Sequence, residues 1–195
     1  MKILLISGIY PPDDGGPAKF VPQFATHLMS QGHQVKVITL TDVKRRKGEF
    51  QYPVKFIKRS LPRPVRMILT TLQIIKSSIR SDVIFSNGLY EETGIAIRLT
   101  RTPTLGKIVG DPVWERSQNR SAPPDSLFGK LQSVIYLYFG KLERKLITWS
   151  LIQFDHVTAP GIELAKSVES WSNKLNVSVV RNGVKIPNEN DKGQK

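Results

Sequence analysis

The chain opens Met1-Lys2-Ile3-Leu4-Leu5-Ile6-Ser7-Gly8-Ile9-Tyr10-Pro11-Pro12-Asp13-Asp14-Gly15-Gly16-Pro17. Its apolar run is continuous rather than alternating, which is what a strand buried on both faces requires. The run is too short for the core of a signal peptide, and acidic Asp13-Asp14 follows it where a small-residue cleavage site would stand. A glycine- and proline-containing loop therefore sits at the carboxyl end of a strand. Residues 18–31 then place Phe20, Phe24, Leu28 and Met29 at helical spacing and stop at Gly32, the usual residue past a helix end. Strand, glycine loop and helix in this order predict the first unit of a doubly wound α/β sheet.

The rest of the chain repeats the pattern. Short β-branched or leucine-rich runs occur at 34–40, 54–59, 83–86, 104–109, 156–159 and 177–181, each bounded by Gly, Pro or Asp. Helical periods fill the spaces at 64–79, 91–100, 127–152 and 161–171, with Gly140 marking a possible bend in the longest. In the helix at 64–79, Val65, Ile68, Leu69, Leu72, Ile75 and Ile79 fall on one side, as in a βαβ crossover. The predicted fold class is α/β: a Rossmann-like, doubly wound, mostly parallel sheet of about seven strands. One domain is expected over residues 1–187. The polar tail 188–195 has no apolar anchor and is expected to be disordered.

Composition narrows the function. In 195 residues, 29 Lys+Arg against 16 Asp+Glu give a net charge of +13, and 39% hydrophobic with 23% charged residues excludes wholesale disorder. With no cysteine there are no disulfides, thiolate nucleophiles or Cys-ligated metals, and three histidines make a zinc site improbable, so no metal is expected. The apolar stretch 131–140, bracketed by Lys130 and Lys141, has half the length needed to cross a bilayer. A cytoplasmic protein is expected, able to sit peripherally on the inner membrane face. Between Lys44 and Arg80, eleven basic residues face one acid, Glu49. Such density, headed by Lys44, Arg45, Arg46 and Lys47, suits an anionic membrane or acceptor phosphates, and it equally suits a solvated face. Tyr136, Tyr138, Phe139, Trp149 and Phe154 add aromatic surface or core. Nucleic acid is not an expected partner: there is no zinc-finger spacing, aromatic RNP-type motif or obvious helix-turn-helix.

Three constellations can carry chemistry. The loop through Gly15-Gly16 lacks both G-x-G-x-x-G and G-x-x-x-x-G-K-[ST], so simple NAD binding and P-loop NTP hydrolysis lose support. Backbone N–H groups at a helix start still favour a phosphate, although Gly-Gly also serves simple turns. After the fifth strand comes Gly110-Asp111-Pro112-Val113-Trp114-Glu115-Arg116. Asp111 and Glu115 can accept hydrogen bonds from sugar hydroxyls, Trp114 can stack on a sugar face, and Arg116 can meet a phosphate. The alternative makes Asp111 a turn residue and Trp114 a core residue. Asn87, just past the fourth predicted strand, joins Gly15, Gly16, Trp114 and Arg116 as a candidate substrate-binding residue. The third constellation, Arg181-Asn182-Gly183-Val184, has no partner strand after it, so it reads as a chain exit rather than a hairpin.

The order and spacing of these segments resemble the N-terminal domain of the family-four glycosyltransferases, retaining enzymes of the two-Rossmann-domain (GT-B) architecture. The resemblance covers nearly the whole chain and is carried by residues 2–10 with Pro11-Pro12 and Gly15-Gly16, Gly32-His33 with 35–39, the 110–115 and 157–161 segments, and Arg181-Asn182-Gly183-Val184. It implies that this domain receives the acceptor, that Gly15 and Gly16 approach the donor phosphate and sugar, and that Asn182 and Gly183 lead across to the donor domain. Many relatives have a histidine where this chain has Gly110-Asp111, which moves the catalytic polar role to Asp111 and Glu115. By this resemblance the C-terminal donor-binding domain is expected to be absent from these 195 residues. The implied activity is that of the acceptor-side half of a hexosyltransferase-like enzyme of polysaccharide biosynthesis. Such an enzyme transfers a sugar from a nucleoside diphosphate sugar, its co-substrate, to a saccharide or lipid-linked acceptor with no cofactor. The alternative is a non-catalytic or split-enzyme subunit that binds acceptor or membrane and needs a separate donor-binding chain.

Overall fold

A computed structural model describes residues 1–43, 49–111 and 127–183 of the chain. In chain order the elements are β1 (Lys2–Ser7), α1 (Gly16–Ser30), β2 (Gln34–Thr41), β3 (Val54–Lys58), α2 (Arg63–Ser78), β4 (Val83–Asn87), α3 (Tyr90–Thr100), β5 (Thr104–Lys107), α4 (Leu127–Ile152), β6 (His156–Ala159), α5 (Ile162–Glu169) and β7 (Val177–Val179). The seven strands form one sheet in the order β3-β2-β1-β4-β5-β6-β7. Every neighbouring pair is parallel, so the expected mostly parallel sheet is wholly parallel among the described residues.

The continuous apolar runs are explained by burial on both faces. Ile3 and Leu5 of β1, Val35 and Val37 of β2 and Phe85 of β4 pack against Val21 and Ala25 of α1. Leu4, Ile6, Ile38 and Ile84 point the other way, into a larger cluster with Ile74 of α2, Ala96 and Ile97 of α3, and Ile147 and Leu151 of α4. Each such side chain taken fully out of water contributes about 1.5–3 kcal/mol. The observed strands differ from the predicted ranges at their ends: β2 and β4 each run one residue further, while β3, β5 and β7 stop one or two short. β3 ends at Lys58 opposite Thr41, the last residue of its partner β2, and Arg59 N–H still donates to Thr41 O at 3.2 Å.

The main surprise is α2. Its inward face is Thr70, Thr71, Ile74, Ser77 and Ser78, whereas Val65, Ile68, Leu69 and Leu72 of the apolar stripe are exposed, Ile68 by 60% and Leu72 by 57%. Two of these hydroxyls donate to the helix itself, Ser77 to Gln73 O at 2.9 Å and Ser78 to Ile74 O at 2.7 Å, while Thr70 Oγ1 is buried without a hydrogen-bond partner. Periodicity correctly finds a helix with an apolar side. That side faces outward, against the usual polarity of a crossover helix.

Candidate active site

In an order of 3-2-1-4-5, the connections leave in opposite directions from β1 and β4, and a crevice opens beyond the carboxyl ends of these two strands. The β1–α1 loop lines it. The loop is anchored by Tyr10, which is fully buried, meets Phe50 edge-on at 5.2 Å between centroids, and shares a 2.6 Å hydroxyl hydrogen bond with Tyr52. Burial raises the Tyr52 pKa, with the Tyr10 hydrogen bond opposing the shift. A cis peptide joins Pro11 to Pro12. Asp13 then pairs with Arg59 at 2.5 Å, and Arg59 also donates to Leu40 O at 3.0 Å and Gly8 O at 3.3 Å. One guanidinium fork thus ties the loop to the ends of β1 and β2.

This anchoring delivers Gly15 and Gly16 to the start of α1. Gly15 is the N-cap with φ of 144°, a conformation closed to most side chains, and no side chain caps the helix. No acid occupies its first turn. The free N–H groups and positive end of the dipole therefore face the crevice with no anion from the helix itself. Across the switch point, Gly88 with φ of 119° lies so close to the β1–α1 loop that a Cβ there would stand 3.0 Å from Gly8 N.

Beneath this helix start, the apolar layer of the sheet turns polar. One step down, Val37, Leu5, Phe85 and Leu105 pair in register across four strands. At the carboxyl ends Thr39 pairs with Ser7 and Ser7 with Asn87, and the β4–β5 register carries on to Lys107 beside Asn87. Side chains alternate along a strand, so this row lies on the α1 side. Ser7 Oγ donates to Ile9 O at 2.6 Å. Thr39 Oγ1 and both amide atoms of Asn87 are buried without a hydrogen-bond partner. Each such group costs about 1–3 kcal/mol when left unpaired.

Lys107 is only 6% exposed, and its ammonium sits 4.1 Å from the centroid of Phe20, in the second turn of α1. Burial lowers its pKa below the ordinary lysine value.

The other predicted residues divide. Asp111 meets Arg144 of α4 at 2.9 Å, and the Arg144 guanidinium lies 4.7 Å from the Trp171 ring, so the carboxylate has a fixed position. Asn182 and Gly183 are exposed and irregular beyond β7. Trp114, Glu115, Arg116 and Lys44, Arg45, Arg46 and Lys47 lie outside the described residues, as does the tail 188–195. Three members of the basic stretch are half-buried and held by partners within the domain. Arg59 is held by Asp13, Arg63 pairs with Glu143 and stands 3.8 Å from Glu91, and Arg66 donates to Arg59 O at 2.7 Å.

Sequence reasoning missed Lys107, Thr39 and the buried Glu91 and Glu92 at the start of α3. A signal existed for the first two: each is a polar residue interrupting an apolar run near its carboxyl end. For the glutamates the signal is an acidic pair in a first helical turn, where the dipole favours them.

The seven-stranded parallel sheet is a Rossmann-like fold that matches solved GT-B glycosyltransferase structures. The chain belongs to Glycosyltransferase Family 4, matching it over residues 14–186. No curated protein matches the sequence. Among solved structures it is similar to Anabaena Alr3699/HepE in complex with UDP and glucose, at 13% identity and a TM-score of 0.54, covering 94% of this chain and 45% of that one. It also resembles an alpha-glucosyltransferase in complex with UDP and a 13-mer DNA containing a HMU base, at 9% identity and a TM-score of 0.54, covering 92% and 41%. A third is Phytolacca americana UGT2 complexed with UDP-2fluoro-glucose and pterostilbene, at 9% identity and a TM-score of 0.53, covering 94% and 54%. The chain spans about half the length of the solved structures it matches.

Proposed function

We propose that this chain is the acceptor-side part of a retaining, hexosyltransferase-like enzyme that moves a sugar from a nucleoside diphosphate sugar to a saccharide or lipid-linked acceptor. The observation that carries the reading is the uncapped start of α1 at the β1/β4 switch point, with the unpartnered Asn87 amide beneath it. Transfer requires charge that develops on the departing diphosphate to be met by dipoles already in place. The amides at Gly15 and Gly16 supply them, and Asn87 adds an orienting hydrogen bond. Asp111, steadied by Arg144, and Glu115 orient sugar hydroxyls, Trp114 and Arg116 contact the sugar face and a phosphate, and Asn182-Gly183 leads toward the donor side. The test is a transfer assay on the purified chain with a panel of nucleotide sugars, with and without extract of the source cells. Turnover only with extract supports the reading and assigns the donor half to a separate chain, turnover by the purified chain alone overturns the assignment to one half, and silence in both arms favours a binding-only module.

The outward apolar stripe of α2 favours a membrane-side acceptor. Among the described residues no helix is long and apolar enough to cross a membrane, but Ile68, Leu69 and Leu72 are placed to enter an interface, with Lys76 and Arg80 at the same helix's end. Replacing both Ile68 and Leu72 with aspartate is expected to weaken binding to vesicles containing anionic lipid by more than about tenfold, since each buried side chain contributes at least about 1.5 kcal/mol. Neutralising Lys44, Arg45, Arg46 and Lys47 is expected to weaken it less and to flatten its salt dependence. Flotation with vesicles decides the matter, and an unmodified protein that stays in solution refutes the membrane reading.

A further inference from the structure

At the end of the sheet opposite the crevice lies a cavity of about 470 Å³ that sugar transfer does not use. It wraps over the amino ends of β1, β2 and β3 beside the last turn of α2, whereas ligands of open α/β sheets collect at the carboxyl ends. Small-molecule sites run from about 300 to 1,000 Å³ and combine an apolar lining with a few converging polar groups. This cavity has both. Side chains alternate along a strand, so β2 sends Val35 to the α1 face, beside Ile3, Met29 and Tyr52, and Lys36 to the α2 face. Lys2, His33, Lys76 and Arg80 complete the basic lining. Among the described residues no Asp or Glu lines it, and neighbouring Asp82 accepts the Lys2 backbone N–H at 2.7 Å.

Lys36 is the informative member. In register it stands opposite Leu4, which is fully buried, at a place where an apolar side chain would extend the core. Instead it is a half-buried lysine whose ammonium donates to Ser77 Oγ at 2.9 Å, and its remaining donors have no acceptor among the described residues. Burial lowers its pKa, and repulsion from Lys76, Arg80 and Lys55 lowers it further. The dipole favours cations near the carboxyl end of a helix, which accounts for Lys76 and Arg80 one at a time. It does not account for another cation brought to them from the sheet. Among the described residues no carboxylate stands within ion-pair reach of Lys36, Lys76 or Arg80. An anion held between them turns mutual repulsion into shared attraction.

We propose that this cavity is a binding site, separate from the crevice, for a phosphorylated molecule with a small apolar or aromatic part. Lys36, Lys76 and Arg80 meet the phosphate oxygens, and Ile3, Val35 and Tyr52 cover the apolar part. A phosphate suits the cluster better than a single carboxylate, since its oxygens diverge toward several charged donors at once. The site does not rest on the sugar-transfer reading. The phosphate comes either from a soluble phosphate ester or from the headgroup of an anionic lipid, and the second source would join the site to the exposed stripe of α2, whose last turn lines it.

The test is an NMR titration of the 195-residue chain with phenyl phosphate and with inorganic phosphate, following the Lys36 and Ser77 amide resonances. Sodium chloride of equal ionic strength is the control. Saturable shifts are expected with phenyl phosphate, at lower concentration than with inorganic phosphate, and none with sodium chloride. Lys36→Met is expected to weaken phenyl phosphate binding by about tenfold or more, the worth of a hydrogen bond to a charged group. Lys76→Gln combined with Arg80→Gln is expected to do the same at exposed positions, where the fold is not at stake. Gly16→Trp, which fills the crevice, is expected to leave this affinity unchanged. Flotation with vesicles containing phosphatidate names the source. Phenyl phosphate that releases the bound protein identifies a lipid headgroup, whereas protein that is not released, or that never floats, identifies a soluble ester. The site is overturned if phenyl phosphate gives no saturable shift, or if sodium chloride reproduces the shift, as a solvated basic face would. Binding lost in Gly16→Trp but kept in both variants of the basic cluster places the ligand in the crevice and overturns it equally. Failure of the transfer assay leaves these results untouched, and transfer without phenyl phosphate binding leaves the enzyme and removes the site.

Discussion

Replacing Gly16 with tryptophan is expected to abolish sugar transfer, by at least about 100-fold, while leaving the fold intact. The position is the first residue of α1, and a Cβ built there meets nothing within 4 Å. A large side chain thus has somewhere to go, and that space is the crevice itself. Substitution at an exposed helix start usually changes stability by no more than about 0.5 kcal/mol, or roughly 1–2 °C in a domain of this size. Misplacing the diphosphate by about 1 Å is enough for a 100-fold loss of rate. Gly15 is no substitute in this experiment. Its φ of 144° disfavours any side chain, and a Cβ would stand 2.7 Å from Ile9 Cδ1, so a loss of activity there would mix strain with blockage. The measurement is turnover in the assay that first establishes activity, paired with thermal unfolding of the same variant. Unchanged turnover by Gly16→Trp refutes the role of the glycine loop.

The strands were legible because doubly buried strands announce themselves as continuous apolar runs, and Leu4, Leu5 and Ile6 have nowhere to go but inside. Helix positions were legible from period alone. What period does not carry is which side of a helix meets its neighbours: α2 turns Thr70, Ser77 and Ser78 inward, the two serines bonded to its own backbone, and leaves Ile68 and Leu72 outside. Charge counting does not carry partners either. Arg59 and Arg63 look like surface charge until the fold brings Asp13 and Glu143 to them. In the site, Gly15-Gly16 could be read because loop chemistry is local, and Asn87 because it closes a strand run. Lys107 could not be placed, since its meaning depends on Phe20 and Asn87, which approach it only through the sheet order β1-β4-β5.

Replacing Gly94 with leucine is expected to be the most damaging change to the fold outside the site. Gly94 lies in α3 where that helix crosses α4, and a Cβ there would stand 2.6 Å from Ser150 Cβ and 2.7 Å from Ser150 Cα. Ser150 is completely buried, and its Cα is backbone, so no rotamer change relieves the contact. Alanine at an interior helix position contributes about 1 kcal/mol more than glycine, whereas overpacking of this kind costs about 1–3 kcal/mol or more. The clash therefore wins, narrowly for Gly94→Ala and decisively for Gly94→Leu, where a loss above about 3 kcal/mol lowers the melting temperature by roughly 10 °C. The damage reaches the site. Tyr90 at the start of α3 donates its hydroxyl to Lys107 O at 2.8 Å, so pushing α3 away from α4 also shifts the end of β5. Thermal unfolding of Gly94→Ala, Ser150→Gly and the double variant separates the causes. If close approach is responsible, Ser150→Gly removes the Cβ half of the conflict, and the pair should be less destabilised than the sum of its parts by about 1 kcal/mol. Strict additivity would show that the helices are not in the contact described, and that Gly94 is a glycine for some other reason.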